Sequence, residues 1–113
     1  MQLSTKQTSH LRSLAQTRDA MLLMGKQGLT DGFIKMVDQA LTDHELVKIR
    51  LSGLKDQRKT LAPQMAERTQ SNLITLVGHV VVLYRQLPDP AKRKVTLPVA
   101  NAEAAGTVDP LAE

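Results

Sequence analysis

The chain has no cysteine, which excludes disulfide frameworks, cysteine-ligated zinc and thiol nucleophiles. Tryptophan is missing too, and the only aromatics are Phe33 and Tyr84. Proteins that hold single strands by stacking bases on aromatic platforms need several such side chains, so that mode is nearly excluded. No apolar run approaches the ~20 residues that cross a bilayer. The opening Met1-Gln2-Leu3-Ser4-Thr5-Lys6 lacks the apolar stretch of a secretory signal. The expectation is a cytoplasmic protein with no membrane association. Proline is scarce up to residue 87, where Pro63 stands alone, and the other four lie at 88, 90, 98 and 110.

What remains is a chain of 113 residues, 42% hydrophobic, with room for one domain and one core. Its net charge is +4, unevenly spread. Residues 1–85 hold 12 Lys+Arg against 7 Asp+Glu, and residues 86–113 hold 3 against 4. The basic excess therefore belongs to the folded part, as a surface that meets phosphates requires. A merely soluble basic domain has the same composition.

Helical spacing of Leu11, Leu14 and Ala15 predicts a helix over residues 3–16, capped by Ser4 or Thr5. Residues 21–24 form a short apolar run closed by Gly25, which suits a strand. Thr30 caps a second helix over 31–43, with Phe33, Val37, Ala40 and Leu41 inward. Residues 44–51 alternate, with Val47, Ile49 and Leu51 on one face and Leu46, Lys48 and Arg50 on the other. A third helix is expected over 56–69, kinked or late in starting because Pro63 lacks an N–H donor. Two apolar strands, 72–77 and 80–84, flank Gly78-His79 as a hairpin. The Pro- and Ala-rich sequence from residue 87 to 113 reads as a flexible tail that adds nothing to the core. The predicted architecture is α/β: one compact αβαβαββ domain over residues 1–86 with a mixed four-stranded sheet. Both strand–helix–strand units are expected to make parallel neighbours.

The segment between the first strand and the second helix carries the clearest chemical signal. Gly25-Lys26-Gln27-Gly28 sets two glycines three apart, where no Cβ keeps the backbone from a sugar–phosphate chain. Lys26 adds a positive charge, and the helix that follows offers free N–H groups and the positive end of its dipole. Lys-Ser/Thr does not follow the second glycine, so this is no P-loop. On pattern alone, a plain tight turn from strand to helix explains the same residues and is the simpler reading. Lys6 and Arg12 fall on the solvent side of the first helix, Lys48 and Arg50 on one face of the second strand, and Arg85 at the end of the last. His10, His44 and His79 are scattered without metal-ligand spacing, and no nucleophile elbow appears. Neither a cofactor nor a metal site is expected, and the chain does not read as an enzyme.

Four blocks together resemble a known family. They are Leu3-Ser4-x-Lys6-Gln7 with Leu11-Arg12-x-Leu14-Ala15, then Gly25-Lys26-x-Gly28-Leu29-Thr30, then Glu45-Leu46-Val47-Lys48-Ile49-Arg50, and Val77-Gly78-His79-Val80-x-Val82-Leu83-Tyr84-Arg85. In order and spacing, from Leu3 to Arg85, they look like a YhbY-type CRM domain. The resemblance implies a fold similar to the C-terminal domain of a bacterial translation initiation factor, and RNA binding with Gly25, Lys26, Gln27 and Gly28 at the contact. Lys48, Arg50 and Arg85 fall on basic positions of the family pattern. Stand-alone bacterial members resemble factors associated with precursor large ribosomal subunits, whereas plant organellar relatives carry the domain in larger splicing proteins. The expected partner is ribosomal RNA of the precursor large subunit, bound by a monomer with no small-molecule substrate. The alternative is a protein–protein adaptor that docks on a ribosomal protein or an assembly GTPase.

Overall fold

The computed structural model describes residues 2–25, 27–52, 57–93, 95 and 97. Helix α1 spans Thr5–Gln16 and starts with a capping box. The Ser4 hydroxyl accepts the Gln7 N–H at 3.1 Å, and the Gln7 side-chain oxygen accepts the Ser4 N–H at 3.0 Å. Strand β1 (Leu22–Met24) leads to α2 (Asp31–His44), whose N-cap Thr30 accepts the Phe33 N–H through Oγ1 at 3.0 Å. Then follow β2 (Leu46–Leu51), α3 (Arg58–Arg68), β3 (Asn72–Val77) and β4 (Val80–Tyr84). The expected αβαβαββ order and mixed four-stranded sheet are both present. Pro63 neither ends nor delays α3, which runs through it with Ala62, Met65 and Ala66 buried and the proline ring exposed. Asp56, the expected first residue of that helix, lies outside the described residues.

The sheet order is β1-β2-β4-β3. β1 and β2 are parallel, while β4 runs antiparallel to both β2 and β3. Only one of the two expected parallel neighbour pairs therefore exists: β2 and β3 point the same way, but β4 lies between them. The reason is legible in composition. Val81 and Leu83 of β4 bury on one face, Val82 and Tyr84 on the other, so this strand belongs inside the sheet. β3 carries Asn72 and Thr75 and takes the edge, with a bulge between Leu73 and Thr75.

Each face of the sheet has its own core. α2 and α3 cover one, where Phe33, Val37, Leu41, Ala62 and Met65 pack on Val47, Ile49, Leu51, Val81 and Leu83. α1 covers part of the other, setting Leu11 and Ala15 on Leu46, Ile74, Val82 and Tyr84. Among the described residues no helix is long and apolar enough to cross a membrane.

The chain beyond β4 departs from expectation. Val95 is 5% exposed and joins the α1-side core, with Leu97 packed against it. The carboxylate of Glu45, fully buried at the end of α2, accepts the N–H of Leu87 at 2.7 Å and of Val95 at 2.8 Å. Glu45 itself sits at φ +63° and ψ −46°, close to a strained γ-turn geometry. These bonds, with its own N–H on the Leu41 carbonyl and its carbonyl on the Arg85 N–H, hold it there. Leu87, Val95 and Leu97 thus pack on the domain although they follow the expected boundary between residues 86 and 87. Residues 98–113 lie outside the described residues.

Candidate nucleic-acid interface

The parallel strands β1 and β2 end side by side, at Met24 and Leu51. The Ser52 N–H donates to the Met24 carbonyl at 2.8 Å, and the Leu51 N–H to the His79 carbonyl at 2.7 Å. The Gly25–Gly28 segment, the exit of β2 and the Gly78-His79 turn therefore share one end of the sheet. Gly25 to Gly28 is a closed turn: the Gly28 N–H donates to the Gly25 carbonyl at 3.1 Å, and Gly28 takes φ +73°. That left-handed backbone strains a residue with a Cβ and explains the second glycine. At Gly25 a Cβ would meet nothing within 4 Å, so the first glycine leaves backbone open to an approaching ligand. Lys26 lies outside the described residues; Gln27 is exposed.

The turn feeds directly into α2. Gly25, Gln27, Gly28, Thr30 and Phe33 line a shallow depression there, at the positive end of the helix dipole. Arg68 braces the exit, donating to the Leu29 carbonyl at 3.4 Å and pairing with Asp31 at 3.0 Å. The ion pair is exposed and adds little stability. It does set a guanidinium beside Asp31, a carboxylate that would repel a phosphate at this helix start.

On the α1 side of the sheet, one cross-strand row stays uncovered. Leu23 pairs with Arg50, Arg50 with Val80, and Val80 with Val77, so these four side chains cross β1, β2, β4 and β3 on one face. Leu23 is 61% and Val77 67% exposed. A cleft bordered by Leu23, Arg50, Ser52, His79 and Val80 adjoins an apolar groove of about 260 Å³ beneath α1. Arg12, Ala15, Gln16, Lys48, Thr75, Val77, Val80 and Val82 line the groove. Among the described residues, no carboxylate lines the depression, the cleft or the groove.

The basic residues nominated from sequence divide sharply. Arg12 and Arg50 are exposed and bond to no described residue. Lys48 borders the groove, but its ammonium donates to the carbonyls of Ala15 at 3.1 Å and Arg18 at 2.9 Å, closing the end of α1. Arg85 lies at the far end of β4. It pairs with Asp38 and also donates to the Thr69 carbonyl at 2.8 Å, the Asp38 carbonyl at 3.0 Å and Thr42 Oγ1 at 2.9 Å. Its guanidinium ties β4 to α2 and α3, away from the Gly25–Gly28 end. Lys6 is exposed on the first turn of α1, outside the groove lining.

Sequence reasoning did not single out Leu23, Val77, Val80 or Arg68. The signal for the first three is apolar side chains on the strand face that also carries Lys48 and Arg50, which becomes visible once register is known. Among the described residues no group of three or more His, Asp or Glu could hold a metal ion.

The profile of the CRS1 / YhbY (CRM) domain matches residues 3–85. The chain belongs to this family. Its Gly25–Gly28 turn and the open row thus lie on a CRM domain, and the docked residues Leu87, Val95 and Leu97 lie past the family match. The chain is 30% identical over 93 residues to a Pseudomonas aeruginosa protein named "Probable RNA-binding protein PA4753", covering 81% of this chain and 89% of that one. A Haemophilus influenzae protein named "RNA-binding protein" is 32% identical over 84 residues, covering 74% and 85%. The solution structure of Staphylococcus aureus SAV1595 superposes with a TM-score of 0.73 at 34% identity, covering 86% of this CRM protein and all of that chain.

Proposed function

We propose that this protein binds RNA through the Gly25–Gly28 turn and the sheet end beside it, and that its target is ribosomal RNA in precursor large subunits. One observation carries the reading. A glycine turn with open backbone feeds a helix N-terminus at a sheet end where, among the described residues, Arg50 has no partner and no carboxylate lines the depression or the cleft. Backbone N–H groups, dipole and cations then all face an incoming phosphate chain. The names of the relatives support RNA as the ligand, and their lengths, spanned for 85–89%, suit a stand-alone CRM domain. The family resemblance supports the ribosomal target. No reaction is assigned: the protein acts by binding.

The test is affinity for precursor large-subunit RNA against salt concentration. Gln27→Asp places a carboxylate against the phosphates and should weaken binding about tenfold or more at low salt. Lys26→Ala should weaken it less and lower the salt slope by about one counterion. If Gln27→Asp binds as wild type does, Gly25–Gly28 is only a turn. Sedimentation of the protein with precursor large subunits in a cell extract tests the ribosomal target separately.

A further inference from the structure

The Gly25–Gly28 turn accounts for contact with backbone phosphates but leaves unused the Leu23–Arg50–Val80–Val77 row and the groove under α1. This surface is apolar at its floor and cationic at its rim. Ala15, Val77, Val80 and Val82 form its walls, with Arg12 at one side and Arg50 across Val80. Both arginines lack a partner among the described residues, and Val80 belongs to the groove and the cleft alike. The cleft also includes Leu23 and Ser52, whose N–H bonds to the Met24 carbonyl just before Gly25, so the surface lies beside the turn.

Resting on the RNA reading above, we propose that this row and groove hold an unpaired stretch of RNA as it leaves the Gly25–Gly28 turn, bases on the aliphatic floor and phosphates on Arg12 and Arg50. Shape excludes a duplex from the groove. A convex double helix turns its phosphates outward and cannot fill a concavity of about 260 Å³. An apolar wall gives a phosphate nothing, whereas a single flat base fits the space and leaves its phosphate at the rim. The lack of carboxylates among the described lining residues, and proximity to the turn, favour RNA over a protein partner. The mode requires no aromatic platform, since the methyl groups of Val77 and Val80 supply apolar contact and the arginines anchor the chain.

The experiment compares two RNAs: a blunt hairpin, and the same hairpin carrying a single-stranded oligouridine extension at its 5′ or its 3′ end. Oligouridine stacks poorly on itself and stays unpaired. Wild type should bind one extended hairpin about fivefold to tenfold more tightly than the blunt one. Val77→Asp and Arg12→Ala should reduce that gain, taken as the ratio of the two affinities for the same protein, to less than about twofold. Both positions are exposed, and a circular dichroism melt verifies the fold. Independently of any variant, 4-thiouridine in the extension should photo-crosslink to the segment 77–82. Equal binding of blunt and extended RNA by wild type would overturn the proposal while leaving RNA binding intact. So would a gain that survives both substitutions, or a crosslink confined to another face. If neither hairpin nor precursor RNA binds wild type, the functional reading itself fails. Unchanged RNA affinity with loss of a protein from the precursor particle would assign the row to a protein partner and overturn the proposal.

Discussion

Arg50 and Arg85 lie at opposite ends of the same antiparallel pair, β2 with β4, and their surroundings differ completely. Around Arg85, α2 and the end of α3 present Asp38, Thr42 and the Thr69 carbonyl, and both terminal guanidinium nitrogens are engaged by them. Nearby, Glu45 is buried and holds two backbone N–H groups of the following segment. At the Arg50 end the sheet runs out into two turns, and among the described residues nothing acidic borders the cleft and the cation has no partner. Charge of one sign is thus structural at one end and available at the other. A count of basic residues overstates the surface open to phosphate, because Lys48 and Arg85 already serve the fold.

The severest way to break the closed end is to end the chain at Gln86. That removes Val95 from the α1-side core and leaves the buried Glu45 carboxylate without the N–H groups of Leu87 and Val95. Burial of one valine contributes about 1.5 kcal/mol, and unmet hydrogen-bonding groups of this kind cost about 1–3 kcal/mol each. A loss of roughly 3 kcal/mol is expected, lowering Tm by about 10 °C or more for a domain of this size. An unchanged melt would mean that the segment is not docked in solution.

Next in size is the arginine pair itself. Arg85→Ala should cost about 2 kcal/mol, a figure reduced because the Asp38 ion pair is partly exposed and screened. Its affinity for RNA should stay within about twofold of wild type at a temperature where both are folded. Arg50→Ala should do the reverse: a stability change within about 0.5 kcal/mol and a several-fold loss of RNA affinity. Denaturant titration and filter binding on the same preparations separate the two. Equal effects on both readouts would erase the distinction between the two ends.

Much of the fold was legible because local signals and tertiary outcome agree. Ser4-x-x-Gln7 and Thr30 mark helix starts whose caps form as expected, and Gly78-His79 turns the hairpin. The central position of β4 could have been read from five unbroken apolar residues, since a strand covered on one face alternates and this one does not. The docked segment was not legible. Two prolines and the basic run Lys92-Arg93-Lys94 give it the look of a solvated tail, and its anchor is a carboxylate that reaches backbone N–H groups 42 and 50 residues on, which almost any sequence could provide. At the interface the glycine turn stood out by pattern. Which arginines are free did not, because the acceptors that occupy Arg85 are up to 47 residues away and those of Lys48 up to 33. The open row required the strand register, which fixes Leu23, Arg50, Val80 and Val77 on one face.

The smallest effect at neutral pH sharpens the closed end from a different side. The Tyr84 ring is fully buried, and among the described residues its hydroxyl has no hydrogen-bond partner; Gln86 lies near enough to favour ionisation slightly without completing a bond. Burial, and then the negative charge of Glu45, push its pKa up from 10.0 to about 12. The folded protein therefore keeps this proton where the unfolded chain has lost it. The stabilisation is complete below pH 10 and is lost as pH rises toward 12, since over that window the unfolded state binds fewer protons. Tyr84→Phe removes both the unbonded hydroxyl and the titration. At pH 7 it should be neutral or stabilising by up to about 1 kcal/mol, and above pH 10 its advantage over wild type should grow. Denaturant midpoints of the two proteins across pH 8–11.5 measure the gap directly. Curves that stay parallel through this range would place the hydroxyl in contact with water or a partner, and the closed end would then be less tightly packed than Glu45, Arg85 and Val95 imply.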